Sequence, residues 1–236
     1  MITAWSPSRL STFEQCPKKA YFEYVRKLKS PSGAAAVEGS RIHELAAQYL
    51  TGALPELPSE LNVFADEFRA LRSSGRELHC EQQHAFTSAM KSTGWFDKDV
   101  WLRVVFDVLY SDGKTLVIID HKTGKVRDKD LAQLELYAHT GFVLHPTVEE
   151  VVTRLWYLKD SIGIEYEVIY KREEMPRLWD SWVERATVML TETQFPARTS
   201  PLCRWCHFTS HHEDEVNARY TREGIAARVQ PICEEG

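Results

Sequence analysis

Leu102 to Lys125 reads LRVVFDVLYSDGKTLVIIDHKTGK. Two runs rich in Val, Ile and Leu flank the turn-forming Ser111-Asp112-Gly113-Lys114, which predicts a β-hairpin with strands over 100–110 and 115–121. Asp107 sits in the first strand, and Asp120 ends the second, followed by His121 and Lys122. Strand alternation puts Asp120 and Lys122 on the same side of the sheet. Val117, Ile118 and Ile119 come just before them, so two charges emerge at the end of a buried strand. Such charges are costly there unless they are paired or used.

Two carboxylates from adjacent strands can hold a hard divalent cation through oxygen, as Mg2+ prefers. A neighbouring lysine can orient or deprotonate a water, or stabilise developing negative charge. Together these groups suit hydrolysis of a phosphodiester. The same D-x-K spacing also fits a surface hairpin with a salt bridge, so other residues must decide. Residues 128–144 have helical period and carry Asp130, Gln133 and Tyr137. Gln133 and Tyr137 are four apart and share a face, where they can touch phosphate or base beside a metal. An ordinary amphipathic helix with Tyr137 packed inward is the plain alternative. His43, in GSRIHELA, lies on a predicted helix over 40–50 and can add an imidazole ligand, although a lone helix histidine is more often structural.

Outward from this centre, residues 7–28 predict helix, opened by Ser6-Pro7 and split at Pro17. Residues 30–40 predict a loop, and 60–73 an amphipathic helix. Residues 79–90, 150–158 and 164–171 predict further strands, the last two joined at 160–163. A long helix follows over 173–193, then an irregular tail. This order describes an α/β fold, a mixed sheet flanked by helices. One domain over 1–236 is expected, with a helical part over 1–75, a core over 76–172, and a helix and metal-binding tail over 173–236.

The net charge of -5 gives no global sign of a nucleic-acid binder, but a local basic patch can act against an acidic background. Two patches exist: Lys18, Lys19, Arg26, Lys27 and Lys29, and Lys122, Lys125, Arg127 and Lys129. Both can neutralise phosphates. Trp95, Phe96 and Trp101 can stack bases, with core packing the plainer reading for most of them. No apolar run is long enough for a membrane span, and the first residues lack the features of a signal peptide, so a cytoplasmic location is expected. Its five cysteines are then reduced, and the C-x2-C pair Cys203 and Cys206 favours metal binding over disulfides. Cys80, on a predicted core strand, is read as packing.

The set resembles the PD-(D/E)XK nuclease superfamily in its RecB-type branch, which includes the CRISPR-associated exonucleases of Cas family four. The matching pieces are SPSRLSTFEQCP (6–17), GSRIHEL (39–45), Glu81, Phe106-Asp107, IIDHKTGK (118–125), QLELY (133–137) and CRWC (203–206). The resemblance implies a restriction-endonuclease-like core with a metal-stapled helical region joining the termini. It implies Mg2+ or Mn2+ held by His43, Asp107, Asp120 and the His121 backbone carbonyl, with Lys122 as the catalytic lysine. Gln133, Tyr137 and Lys125 would place the DNA strand, and Glu81 would have a structural or supporting role. His121 stands where the family often has tyrosine or phenylalanine.

In this branch one N-terminal and three C-terminal cysteines hold a [4Fe-4S] cluster. Cys16, Cys203 and Cys206 match three of them, and His212 stands where the fourth is expected. Cys16, Cys203, Cys206 and His212 can ligate such a cluster or a Zn2+ ion, and Cys233 can restore four thiolates. His207 and His211 are further local candidates. The implied activity is a DNA exonuclease on single strands or free ends, in recombination, repair or CRISPR-type processing. No G-x4-G-K-[ST] motif is present, so any helicase or recombination motor would be a partner. An endonuclease, or a non-catalytic DNA-binding subunit with a relict fold, are the alternatives.

Overall fold

Among the described residues, six strands form one sheet: β1 (His79–Phe86), β2 (Ser92–Thr93), β3 (Leu102–Asp112), β4 (Thr115–Lys122), β5 (Glu150–Tyr157) and β6 (Ile164–Lys171). Their order is β2-β1-β3-β4-β5-β6. Of these strands β4 and β5 run parallel and the other neighbours antiparallel, so the sheet is mixed, as expected. The computed structural model describes residues 1–28, 30–159 and 163–208. The described chain divides into two compact units, Gly33–Val183 and Met1–Ser32 with residues from Glu184 onward. These boundaries differ from the expected partition near 75 and 172, because the two helices before β1 pack with the sheet.

In the sheet unit, α3 (Ala34–Leu50) and α4 (Ala65–Ser73) cover one face. Ile42, Ala46, Leu61, Phe64, Phe68 and Leu71 meet Val117, Ile119, Val152 and Trp156 in one apolar cluster. The other face is covered by α5 (Asp128–Leu144), the crossover that a parallel strand pair requires. Gly141 brings α5 close to that face: a Cβ there would lie 2.9 Å from Leu116 Cδ2 and 3.1 Å from Ile118 Cδ1. Arg172 closes the C-terminal end of α5 by donating to the carbonyls of Phe142, His145 and Val148. Successive residues of β4 therefore serve opposite faces, and this alternation aims the site residues.

Three expectations fail locally. Residues 34–40 are helical rather than loop, because three alanines after Gly33 start α3 early. The strand expected over 79–90 ends at Phe86, and Ser92–Thr93 turns back as β2. Phe96 is 90% exposed rather than core, whereas Trp101 packs on Trp179 with ring centres 5.6 Å apart.

The other unit holds α1 (Pro7–Gln15), capped by Ser6, which accepts the Arg9 N–H at 3.3 Å. Pro17 ends that run and opens α2 (Pro17–Ala20), as expected, followed by a π-helical turn over Tyr21–Val25. Its core is Cys16, Phe22, Leu28 and Phe208, with Tyr21, Cys203 and Cys206 packed against them. Arg185 holds Glu14 through two hydrogen bonds of 2.6 and 2.9 Å. The long helix α6 (Met175–Thr191) contains the division between the units.

Candidate active site

The β3–β4 ladder runs from Asp112↔Thr115 to Val108↔Ile119. One step further stand Asp107 and Asp120, where a side chain replaces the backbone partner. Asp107 Oδ2 accepts the His121 backbone N–H at 2.6 Å. On the other side of β3, the register Cys80↔Val108 and Gln82↔Phe106 puts Glu81 opposite Asp107. Glu81 has φ +52°, a left-handed conformation that costs a non-glycine residue roughly 1–2 kcal/mol.

His43 reaches this point from α3. Its Nδ1 lies 3.3 Å from Asp107 Oδ2 and 3.8 Å from Glu81 Oε1. Ligand-capable atoms of His43, Glu81 and Asp107 all lie within 4.8 Å of one another. Burial works against charge on His43, but the carboxylates of Asp107 and Glu81 outweigh it and push the imidazole up to about 10. Burial also opposes ionisation of Asp107, yet His43 and the His121 N–H hold it below the usual carboxylate range. A protonated imidazole thus balances the carboxylates, and His43 must shed that proton before it can serve as a ligand. One nitrogen and several hard oxygens around one point fit a divalent cation of the Mg2+ or Mn2+ kind.

Asp120 emerges on the α5 side of β4. Its Oδ2 pairs with Lys122 Nζ at 2.6 Å, and its Oδ1 accepts the Tyr137 hydroxyl at 3.0 Å. Gln133 joins them: its Oε1 accepts from Lys122 Nζ at 3.0 Å, and its amide donates to Asp120 Oδ1 at 3.4 Å and to the Tyr137 hydroxyl. Burial raises Asp120 to about 6 despite Lys122, with Asp107 adding to the rise. Burial alone would lower Lys122, but Asp120 more than offsets it, so the ammonium is held above its ordinary value. Desolvation and the nearby carboxylates keep the Tyr137 hydroxyl protonated.

The structure thus brings together His43, Asp107, Asp120, Lys122, Gln133 and Tyr137. The three-residue group of His43, Glu81 and Asp107 lacks Asp120, whose two oxygens are engaged by Lys122, Tyr137 and Gln133. Glu81 stands in that group instead. Its signal in the sequence was weak: one carboxylate in HCEQQHAF, a strand of mixed polarity. The His121 ring points to the opposite face, among Phe68, Trp156 and His43 with centres 5.5–5.9 Å away. Burial drives it down to about 4, so it is a neutral packing ring, in keeping with an aromatic position. Lys125 is exposed in the connection to α5.

A second constellation lies in the terminal unit. Cys16, Cys203 and Cys206 line one cavity of about 150 Å³, together with Lys19 and Arg198. Cys16 Sγ accepts the Arg198 N–H at 3.4 Å, and Cys203 Sγ accepts the Ser200 N–H at 3.3 Å. Burial raises the Cys206 thiol. Cys16 is buried, and Cys203 and Cys206 are partly buried. His211, His212 and Cys233 lie outside the described residues, as does Lys29. Thiols from both ends of the chain around one cavity, with backbone N–H groups on two sulfurs, fit a thiolate-bound metal.

The profile of the PD-(D/E)XK nuclease superfamily matches residues 4–211, and the chain belongs to that superfamily. Among solved structures, the chain is similar to SSO0001, with a TM-score of 0.45 and 16% identity over 88% of this chain and 85% of that one. It is also similar to a protein from Eubacterium rectale named "Putative exonuclease", with a TM-score of 0.49 and 12% identity over 87% of each chain. No curated protein matches the chain. The six-stranded mixed sheet flanked by helices is the restriction-endonuclease-like fold of this superfamily. No helix among the described residues is long and apolar enough to cross a membrane.

Proposed function

We propose that this chain is a Mg2+- or Mn2+-dependent deoxyribonuclease of the RecB-type branch, acting from free ends of single-stranded DNA. One observation carries the reading: His43, Glu81 and Asp107 form a ligand set one residue pair away from the Asp120–Lys122 ion pair. When bound there, the cation supplies Lewis acidity at the phosphate and lowers the pKa of a water. Lys122 is held protonated, so its part is charge stabilisation at the phosphate rather than proton removal. Gln133 and Tyr137 fix the Asp120 carboxylate and the lysine in one orientation. The preference for ends rests on the resemblance of the DHK motif, the Gln-x3-Tyr pair and the cysteines to that branch. A place in recombination, repair or spacer processing follows from the same resemblance, with strand separation left to a helicase partner.

We further propose that Cys16, Cys203 and Cys206 hold a structural metal, a [4Fe-4S] cluster ahead of Zn2+, with His212 or Cys233 as the fourth ligand. Brown colour with iron and sulfide in anaerobically purified protein supports the cluster, and colourless protein with one zinc refutes it. Labelled DNA with Mg2+ or Mn2+ tests the nuclease: wild type cuts and Lys122→Ala does not. If both leave it equally untouched, the enzyme reading fails. Circular single-stranded DNA resists an exonuclease and is cut by an endonuclease.

A further inference from the structure

The His43–Glu81 edge of the site opens into a cavity of about 650 Å³ along one side of α3. Small residues of α3, among them Ala36, Gly39 and Ala47, make the room. At Gly39 a Cβ would lie 2.8 Å from Thr123 Oγ1, so the glycine lets the helix sit against the end of β4. Cys80 and Glu81 of β1 complete the wall. His43 and Glu81 belong both to this wall and to the ligand cluster, so an occupant of the cavity touches the cluster directly.

Charge decides what that occupant is. Among the described residues, no lysine or arginine lines the cavity, whereas Glu44 and Glu81 bring carboxylates. Away from the ligand cluster, a phosphate inside would face the Glu44 carboxylate with no lysine or arginine of the described lining to pair with. The uncharged part of a DNA strand, sugar and base, meets no such penalty. Ser40 and Gln48 offer hydrogen-bonding groups for it. Cavities of roughly 300–1,000 Å³ are those that enclose small molecules, a range that includes a nucleoside.

We propose that this cavity receives the sugar and base of the nucleotide adjoining the scissile phosphate. The proposal rests on the nuclease reading and sharpens its substrate: the base must leave its stack and its partner strand to enter, so single-stranded or frayed DNA is required. The test is a set of oligonucleotides, each with one abasic residue at a different position, cut by the full chain with Mn2+. One bond, at a fixed offset from the abasic residue, is expected to be cut about tenfold more slowly. Ala47→Leu, which fills the cavity from α3, is expected to lower the ratio of oligonucleotide to bis(p-nitrophenyl) phosphate hydrolysis about tenfold, since the latter has no nucleoside. It is also expected to erase the abasic offset. If Ala47→Leu fails to fold, the abasic scan of the wild type decides alone. A wild type that cuts DNA with no dependence on abasic position overturns the cavity assignment and leaves the nuclease standing. A wild type that cuts neither substrate overturns both.

Discussion

The Asp107 carboxylate accepts the His121 backbone N–H at 2.6 Å where the β3–β4 ladder ends. A side chain thereby finishes a backbone pairing and, through the same oxygen, meets His43. Asp107→Asn keeps an oxygen for the His121 N–H but loses the charge. The variant is expected to fold and to lose about 10²–10³-fold or more in DNA cleavage. An NMR titration is expected to find His43 well below the value of about 10 that it has beside both carboxylates. An unmoved His43 would show that Asp107 does not set its charge.

Gln133 touches Lys122, Asp120 and Tyr137 together. Gln133→Ala is expected to free the lysine from α5 and to slow cleavage by about 10–100-fold, with most of the loss in kcat. Full activity in steady-state kinetics would reduce Gln133 to a packing residue.

His139 is buried, stacks on Trp179 at 4.5 Å and has its Nδ1 3.0 Å from the Met175 carbonyl. Burial lowers its pKa despite that carbonyl, so the folded ring resists protonation. The unfolded chain takes up a proton near the ordinary value of about 6.5, which the folded chain refuses. Stability from this group therefore falls as pH drops below about 6.5. The urea midpoint is expected to drop between pH 7.5 and 5.5 by less in His139→Phe than in the wild type.

Gly141→Ala sets two effects against each other. Alanine favours the helix by about 0.5–1 kcal/mol. Its methyl would meet Leu116 and Ile118 at 2.9 and 3.1 Å, and such overpacking costs about 1–3 kcal/mol. The clash is expected to win, so thermal unfolding moves down by a few degrees.

Cys203→Ser removes one thiol from the proposed metal site. Metal content is expected to fall, and proteolysis is expected to attack the terminal unit before the sheet unit, because binding energy there is folding energy. Equal protease resistance of variant and wild type would exclude a structural metal at these cysteines.

Much of this was legible in the sequence because the signals were local. The hairpin turn, the period-two pattern of β4 and the i, i+4 spacing of Gln133 and Tyr137 each act within a few residues. His43 and Asp107 were legible as candidates, but their 3.3 Å approach depends on α3 crossing the sheet, which no local pattern encodes. The place of Glu81 beside His43 and Asp107 was not legible, because its left-handed backbone arises from tertiary constraint rather than from residue type. The early start of α3 was hidden by Gly33 and by reading a stretch of small residues as a loop.

The division of the chain also orders its assembly. Residues 33–183 are continuous and hold every proposed catalytic group, so they can finish folding while the remainder is still being synthesised. Residues 1–32 leave the ribosome before the sheet unit, yet the unit they belong to includes residues from Glu184 onward. They must wait, with Trp5, Leu10, Phe13 and Phe22 uncovered, until residues from Glu184 onward are made. A segment made before the sheet unit is buried after it, and it is where a nascent chain needs chaperone cover most.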